Sequence, residues 1–303
     1  LGKEEQRVCT GACLFGKCPY ETCIKYAQKK RQAAMADVDM HILTRQLLPA
    51  ITGDKKGFGI AVDIGTTTVV AYLYRLATCE LLGVASRLNA QATLGVDVIS
   101  RIKYCTDIED GLGAMQKAIV KELNLLFREL ADKAGITPAD VSHIVVTGNT
   151  TMLHLFAGIS PVTMGYSPFT PASTFGYFAE AKDFGLETDT AKVYLADCIS
   201  SFVGGDITTA ILASGMFEGE DLCLLLDIGT NGEVALGSRH GILATSTAAG
   251  PAFEGAQLSH GMAGVNGAVN SVYAENGEFK FTTIGGGAPK GICGSGVIDM
   301  TAL

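Results

Sequence analysis

One short stretch of this chain occurs twice. Ile60-Ala61-Val62-Asp63-Ile64-Gly65-Thr66 superposes without a gap on Leu224-Leu225-Leu226-Asp227-Ile228-Gly229-Thr230, and Val70-Ala71 then matches Val234-Ala235. In each copy an apolar run enters a bend rich in Gly and polar residues and an apolar run leaves it, which predicts two buried strands joined by a turn. Two copies so far apart predict two similar lobes, each opening on a hairpin whose turn faces the other. A chain of 303 residues is long enough to give each lobe its own core.

Composition agrees with an α/β protein. Charged residues make up 18 %, hydrophobic residues 48 %, and there are 37 glycines, which suits sheets joined by tight turns and not a disordered chain. The net charge of −8 argues against a nucleic-acid partner, which would draw on clustered Lys and Arg. No apolar run is long enough to span a bilayer, and Leu1 to Arg7 lacks the apolar core of a signal peptide, so a cytoplasmic protein is expected. The uncharged run Val141–Ala179 is broken by Asn149, His154 and three prolines, and reads as buried or partner-facing.

Residues 1–30 stand apart as a Cys-rich module, and 31–56 read as a helical linker, since Ile24–Leu48 is rich in Lys, Arg, Gln, Ala and Leu and leads into the turn Thr52-Gly53-Asp54. A first lobe is expected over 57–203 and a second over 204–303. Within the first, Met115, Ile119, Leu123, Leu126 and Leu130 fall at helical spacing over Leu112–Ala134, with Gly135 as the stop. A strand at Ile144–Val146 runs into Thr147-Gly148-Asn149, followed by a short amphipathic helix Thr150–Ala157.

The repeated turns can cradle phosphate. Gly65 and Gly229 let the backbone bend so that successive N–H groups face an anion, and Thr66, Thr67, Thr68, Thr230, Asn231 and Gly232 add donors or room. An Asp beside phosphate would repel it, so Asp63 and Asp227 are expected to hold Mg²⁺ between them, through water. Without a ligand, either turn alone would be an ordinary Asx-type bend. Asp206, in Gly204-Gly205-Asp206, opens a helix-like run to Met216; it reads either as the helix N-cap or as the group that orients the attacking hydroxyl or water. Gly250, in the small-residue run Ala244–Gly255, is expected to line the phosphate pocket. Gly294-Ser295-Gly296 is expected to permit close packing between the lobes. No G-x-x-x-x-G-K-[ST] or H-E-x-x-H run occurs, and His143, His154, His240 and His260 have no ligand spacing.

Four of nine cysteines crowd into fifteen residues: Cys9, Cys13, Cys18 and Cys23. Four thiolates suit a tetrahedral Zn²⁺ or an iron–sulfur cluster, and their spacing matches neither ferredoxin pattern. Cys79, Cys105, Cys198, Cys223 and Cys293 are expected in the core.

The two turns resemble the phosphate motifs of the acetate and sugar kinase, Hsp70 and actin superfamily, which implies a two-lobed, ribonuclease H-like, actin-like ATPase fold. More specifically, Asn89-Ala-Gln91, Gly95-Val-Asp97-Val-Ile-Ser-Arg101, Thr147-Gly-Asn149, Ser246-Thr-Ala-Ala-Gly250-Pro-Ala-Phe-Glu254-Gly and Ile292-Cys-Gly-Ser-Gly296 occur in order and resemble the reductive activators of corrinoid proteins. That resemblance covers roughly residues 57–303. It implies ATP with Mg²⁺ as cofactor, Asp206, Asp63 and Asp227 as catalytic residues, and iron–sulfur in preference to zinc. It implies ATP-driven electron transfer from the cluster to Co(II) of a corrinoid protein or a methyltransferase's corrinoid subunit, giving Co(I), with the electron donor unspecified. A homodimer is among the expected assemblies. The superfamily's late Gly-rich adenosine motif is expected beyond Leu303, leaving the second lobe truncated. The alternatives on the same fold are a small-molecule kinase with Asp206 as base, and a nucleotide-switched scaffold.

Overall fold

The computed structural model describes residues 57–188, 190–229, 231–248, 258–262 and 264–303. The cysteine module, the linker, Thr230 and Gly250 lie outside the described residues. All the described residues fall within one unit, Lys56–Leu303.

The first repeat folds as the expected hairpin. β1 (Phe58–Ile64) and β2 (Thr68–Arg75) pair antiparallel, with Ile64 opposite Val69, so residues 65–67 form the turn. Ile60, Val62 and Ile64 alternate inward on β1, and Val69, Ala71 and Leu73 on β2, all buried. β3 (Glu80–Leu88) extends this sheet on the β2 side. Next come α1 (Val98–Asp107) and α2 (Gly111–Ala134). On α2, Met115, Ile119, Leu123, Leu126 and Leu130 form one buried stripe, and Gly135 closes the helix in the left-handed conformation at φ 68°.

β4 (Val141–Gly148) lies parallel to β1, and α3 (Thr150–Ala157) follows directly. The Asn149 side chain caps α3 by accepting from Met152 N at 3.0 Å. The helix is not amphipathic as expected: all residues of α3 from Thr150 to Phe156 are buried, because the helix is enclosed on every side, which accounts for the uncharged sequence there. His154 is one of them: its Nδ1 donates to Thr150 O at 2.7 Å and its Nε2 accepts from Ser173 N at 3.2 Å, so it is a neutral, satisfied core residue. β5 (Tyr177–Glu180) and β6 (Lys192–Leu195) complete a sheet ordered β3-β2-β1-β4-β6-β5.

α4 (Gly205–Ser214) then leads to the second repeat, β7 (Cys223–Ile228) and β8 (Asn231–Ser238), again an antiparallel hairpin, with β9 (Gly241–Ala248) beside β8. A third sheet, which the sequence patterns do not foresee, pairs β10 (Ala268–Glu275) with β11 (Glu278–Thr283) and β12 (Gly291–Ile292). α5 (Gly294–Ala302) packs on β10 so closely that a Cβ on Gly296 would lie 2.3 Å from Val269 O. Among the described residues no helix is long and apolar enough to cross a membrane.

Two of the five cysteines expected in the core are not there. Cys79 is exposed in the β2–β3 connection with φ 56°, and Cys223 is exposed at the start of β7, an outer strand of its sheet. Cys198 and Cys293 are buried and Cys105 half-buried; burial pushes the Cys105 thiol up to about 11 and Cys198 up to about 12, so neither is a reactive thiolate at neutral pH.

Candidate functional site

The first turn is held from behind by side chains distant in sequence. Gly65 N donates to Thr68 O at 3.0 Å and closes the bend. Asn89 Nδ2 donates to Gly65 O at 2.8 Å, Asn89 N to Thr67 O at 2.8 Å, and Arg101 Nη2 to Thr66 O at 2.6 Å. Three consecutive carbonyls are therefore occupied on one side of the turn. Asn149 Nδ2 adds a bond to Thr66 Oγ1 at 3.1 Å, tying the turn to the β4–α3 junction.

The second turn closes with a bond from Gly229 N to Asn231 O at 3.0 Å. Asp227 on β7 stands directly opposite Glu233 on β8. Glu233 is buried and accepts from Ser246 Oγ of β9 at 3.0 Å. α4 reaches the same place from the first sheet, with Thr147 Oγ1 of β4 3.2 Å from Thr209 Oγ1 of α4. Asp206 stands one residue inside α4, and Gly204 occupies the cap position, so Asp206 is not the N-cap; its Oδ1 accepts from Ile207 N at 2.9 Å.

The carboxylates of both repeats feel each other. Burial, then the Asp227 charge, holds Asp63 above the ordinary carboxylate range. Burial pushes Asp206 up to about 7, against the Ile207 N–H, and Asp63, Glu233 and Asp227 all push the same way. Glu233 is raised by burial and by Asp227, against the bond from Ser246; Asp227, exposed as a residue, is raised by partial desolvation. Four acids with raised pKa values, within range of one another's charge, form a site that a cation would relieve. Among the described residues no three His, Cys, Asp or Glu side chains converge tightly enough to hold a metal alone. That donor set fits Mg²⁺, which keeps its waters and takes one or two carboxylates together with phosphate oxygens. An apolar groove of about 380 Å³ along β10, β11 and α5 shares no residue with this cluster.

Residues 58–219 match the model of the RACo middle region, and residues 221–303 that of the C-terminal domain of RACo, the ASKHA domain. The chain belongs to the RACo family. It is 38 % identical over 257 residues to the corrinoid activation enzyme RamQ of Eubacterium limosum, covering 84 % of this chain and 43 % of that protein. Against the [Co(II) methylated amine-specific corrinoid protein] reductase of Methanosarcina barkeri it is 26 % identical over 228 residues, covering 72 % and 41 %. The solved reductive activator for corrinoid, iron-sulfur protein superposes with a TM-score of 0.76 at 40 % identity, over 83 % of this chain and 40 % of that one. The chain thus spans less than half the length of these relatives. The mixed α/β sheets with an ASKHA, actin-like domain agree with the fold expected from the repeated turns.

Of the residues singled out in the sequence, Asp63, Asp206 and Asp227 come together, and Gly65 to Thr68 form the turn beside Asp63. Several contributors were not assigned roles from sequence: Asn89, Asn149 and Arg101 around the first turn, and Glu233 beside the second. Arg101 stands in a resemblance motif, but its role is not legible there because it reaches a backbone carbonyl 35 positions earlier. Glu233 was legible in the repeat itself: its counterpart in the first copy is the buried Val69, and a carboxylate replacing an apolar core residue marks a site.

Proposed function

We propose that this chain is the ATP-handling part of an enzyme that couples ATP hydrolysis to reduction of a corrinoid protein from Co(II) to Co(I). The observation that carries the reading is that Asp63 and Asp227, the equivalent acids of the two repeats, lie within reach of each other's charge and of Asp206 at the start of α4. The first turn would bind phosphate through the backbone of Thr66, Thr67 and Thr68, with Gly65 closing the bend, and the second through Thr230, Asn231 and Gly232, with Gly229 closing it and Gly250 close by. Asp63 and Asp227 would hold Mg²⁺ through water. Asp206, with a pKa near neutrality, would orient the attacking water and take its proton. The names of the related proteins support a corrinoid protein, or a methyltransferase's corrinoid subunit, as the partner.

Cys9, Cys13, Cys18 and Cys23 supply four thiolates, a donor set that fits an iron–sulfur cluster, which when bound would supply one-electron transfer. Such ligands belong in the reducing cytoplasm. We place the Cys module at 1–30, the linker at 31–56, and the division between lobes near residue 204. The decisive experiment mixes the full-length protein with Mg·ATP, a reductant and a Co(II) corrinoid protein, and follows the cobalt absorption. Co(I) formation that needs ATP supports the reading; Co(I) formation at equal rate and extent without ATP refutes it. Iron and zinc analysis of anaerobic protein, beside a Cys9/Cys13/Cys18/Cys23→Ser variant, tests the ligands: stoichiometric zinc without iron removes the redox role.

A further inference from the structure

Arg101 heads the largest fully buried side chains among the described residues, and it carries a charge with no carboxylate at ion-pair distance among them. Its bonds all go to neutral acceptors. Nε donates to Gly95 O at 2.8 Å, Nη1 to Gln91 Oε1 at 3.3 Å and Met152 Sδ at 2.9 Å, and Nη2 to Thr66 O at 2.6 Å. A buried charge satisfied only by neutral groups is costly, and burial pulls its pKa down to about 10, with Asp97 opposing. Gln91, itself fully buried, is fixed in turn by donating from Nε2 to Met115 O at 3.0 Å. The guanidinium is thus locked in place against the core helix α2.

Because a trans peptide points its C=O and N–H in opposite directions, a carbonyl drawn inward turns the following N–H outward. Asn89 draws in Gly65 O and Thr67 O, and Arg101 draws in Thr66 O between them. The Thr66 and Thr67 N–H groups thereby aim away from Asn89 and Arg101. Asn149 completes the arrangement. Its Oδ1 is engaged by Met152 N, which fixes Nδ2 toward Thr66 Oγ1, so the Thr66 hydroxyl accepts from Asn149 and keeps its own hydrogen to donate.

We infer that Arg101 is the positioning residue of the first phosphate turn: it keeps the Thr66 carbonyl off the phosphates and sets a fixed positive charge behind them, for which the nucleotide's phosphates are the counter-charge. This rests on the phosphate-binding reading of that turn. The charge acts through one peptide and not by contact, so its effect belongs to the phosphates and not to the adenosine.

Arg101→Lys keeps the charge but loses the fork; Arg101→Gln loses both. Calorimetry on the full-length protein with Mg·ATP and with adenosine reads the effect. We expect Mg·ATP to bind about fivefold more weakly to Arg101→Lys and about fiftyfold more weakly to Arg101→Gln, with adenosine affinity unchanged in each. Melting temperatures without nucleotide report any purely structural loss separately. If both variants melt earlier but bind Mg·ATP as wild type does, Arg101 serves the fold alone and the inference falls. It falls too if adenosine weakens as much as Mg·ATP, since that is general distortion. Should Arg101→Gln not fold, unchanged Mg·ATP affinity in Arg101→Lys is enough to overturn it. Wild-type protein that binds no Mg·ATP overturns the phosphate-turn reading itself, and this inference with it.

Discussion

A Cβ added to Gly204 would lie 2.6 Å from Asn149 Cα. It would also meet Gly148 O and Thr150 N at 2.7 Å each, all backbone atoms that cannot turn aside. The Gly204 backbone itself is ordinary for any residue, at φ −91°. The glycine is thus required by contact and not by conformation. It lets the start of α4 press against the β4–α3 junction, and this brings Asp206 near Asp63. Gly204→Ala should push α4 back by several tenths of an ångström. We expect ATPase activity to fall at least about tenfold, with a stability loss on the order of 1–3 kcal/mol. Steady-state hydrolysis and thermal melting check this; unchanged turnover would mean that the α4 approach does not set the Asp206 position.

Asp206 makes the site sensitive to pH. Its folded pKa of about 7 lies above the ordinary 3.8, so between those values the folded protein keeps a proton that the unfolded chain has released. Stability from this group is therefore full below about pH 4 and declines as pH rises through 7. Asp206→Asn removes the decline. At pH 8 the variant should be more stable than wild type, by on the order of a few kcal/mol at most, and the advantage should shrink toward pH 4. Its ATPase activity should drop by about 10²-fold or more. A variant less stable than wild type at every pH would show that Asp206 is a structural residue of α4.

Asp63 and Asp227 belong to different copies of the repeat, and the Asp227 charge acts on Asp63. If both hold the same Mg²⁺–phosphate group, removing either breaks the same function. Asp63→Asn and Asp227→Asn should each reduce turnover by about 10²-fold, and the double variant should be little worse than the poorer single one. Fully multiplicative losses would assign them to separate tasks. Each substitution also removes a repelled charge, so neither should destabilise the fold.

The parts of this architecture that are local in sequence were legible in it. The α2 stripe from Met115 to Leu130, its stop at Gly135, the helix Thr150–Ala157 and both hairpins follow from periodicity, caps and turn residues within a few positions. The convergence of Asp63 with Asp227 was legible only because the motif is duplicated. What escaped is what depends on distant packing. β10 to β12 have no repeat to mark them, and Arg101 bonds a carbonyl, a group every residue has. Cys79 shows the opposite error, since an apolar residue type says nothing of a turn that carries it into solvent.

The repeat offers one more test, because its two copies differ at one buried position. Val69 and Glu233 both sit six residues after their aspartate, and both are buried, one apolar and one a carboxylate. The carboxylate is raised by burial and by Asp227, and it in turn raises Asp206. Glu233→Val puts the first copy's residue into the second. A valine there buries no charge, while Ser246, which loses its acceptor, is only partly buried and can turn to water. We expect the variant to gain stability at pH 8, by on the order of 1 kcal/mol. Removing one repelling charge should also lower the Asp206 pKa, so the acid limb of the kcat/KM profile should move to lower pH. Melting at pH 8 and a pH–rate profile measure the two effects independently. An unmoved acid limb would mean either that Asp206 does not govern it or that Glu233 is not coupled to Asp206; the Asp206→Asn profile separates these, because it loses the limb only in the second case.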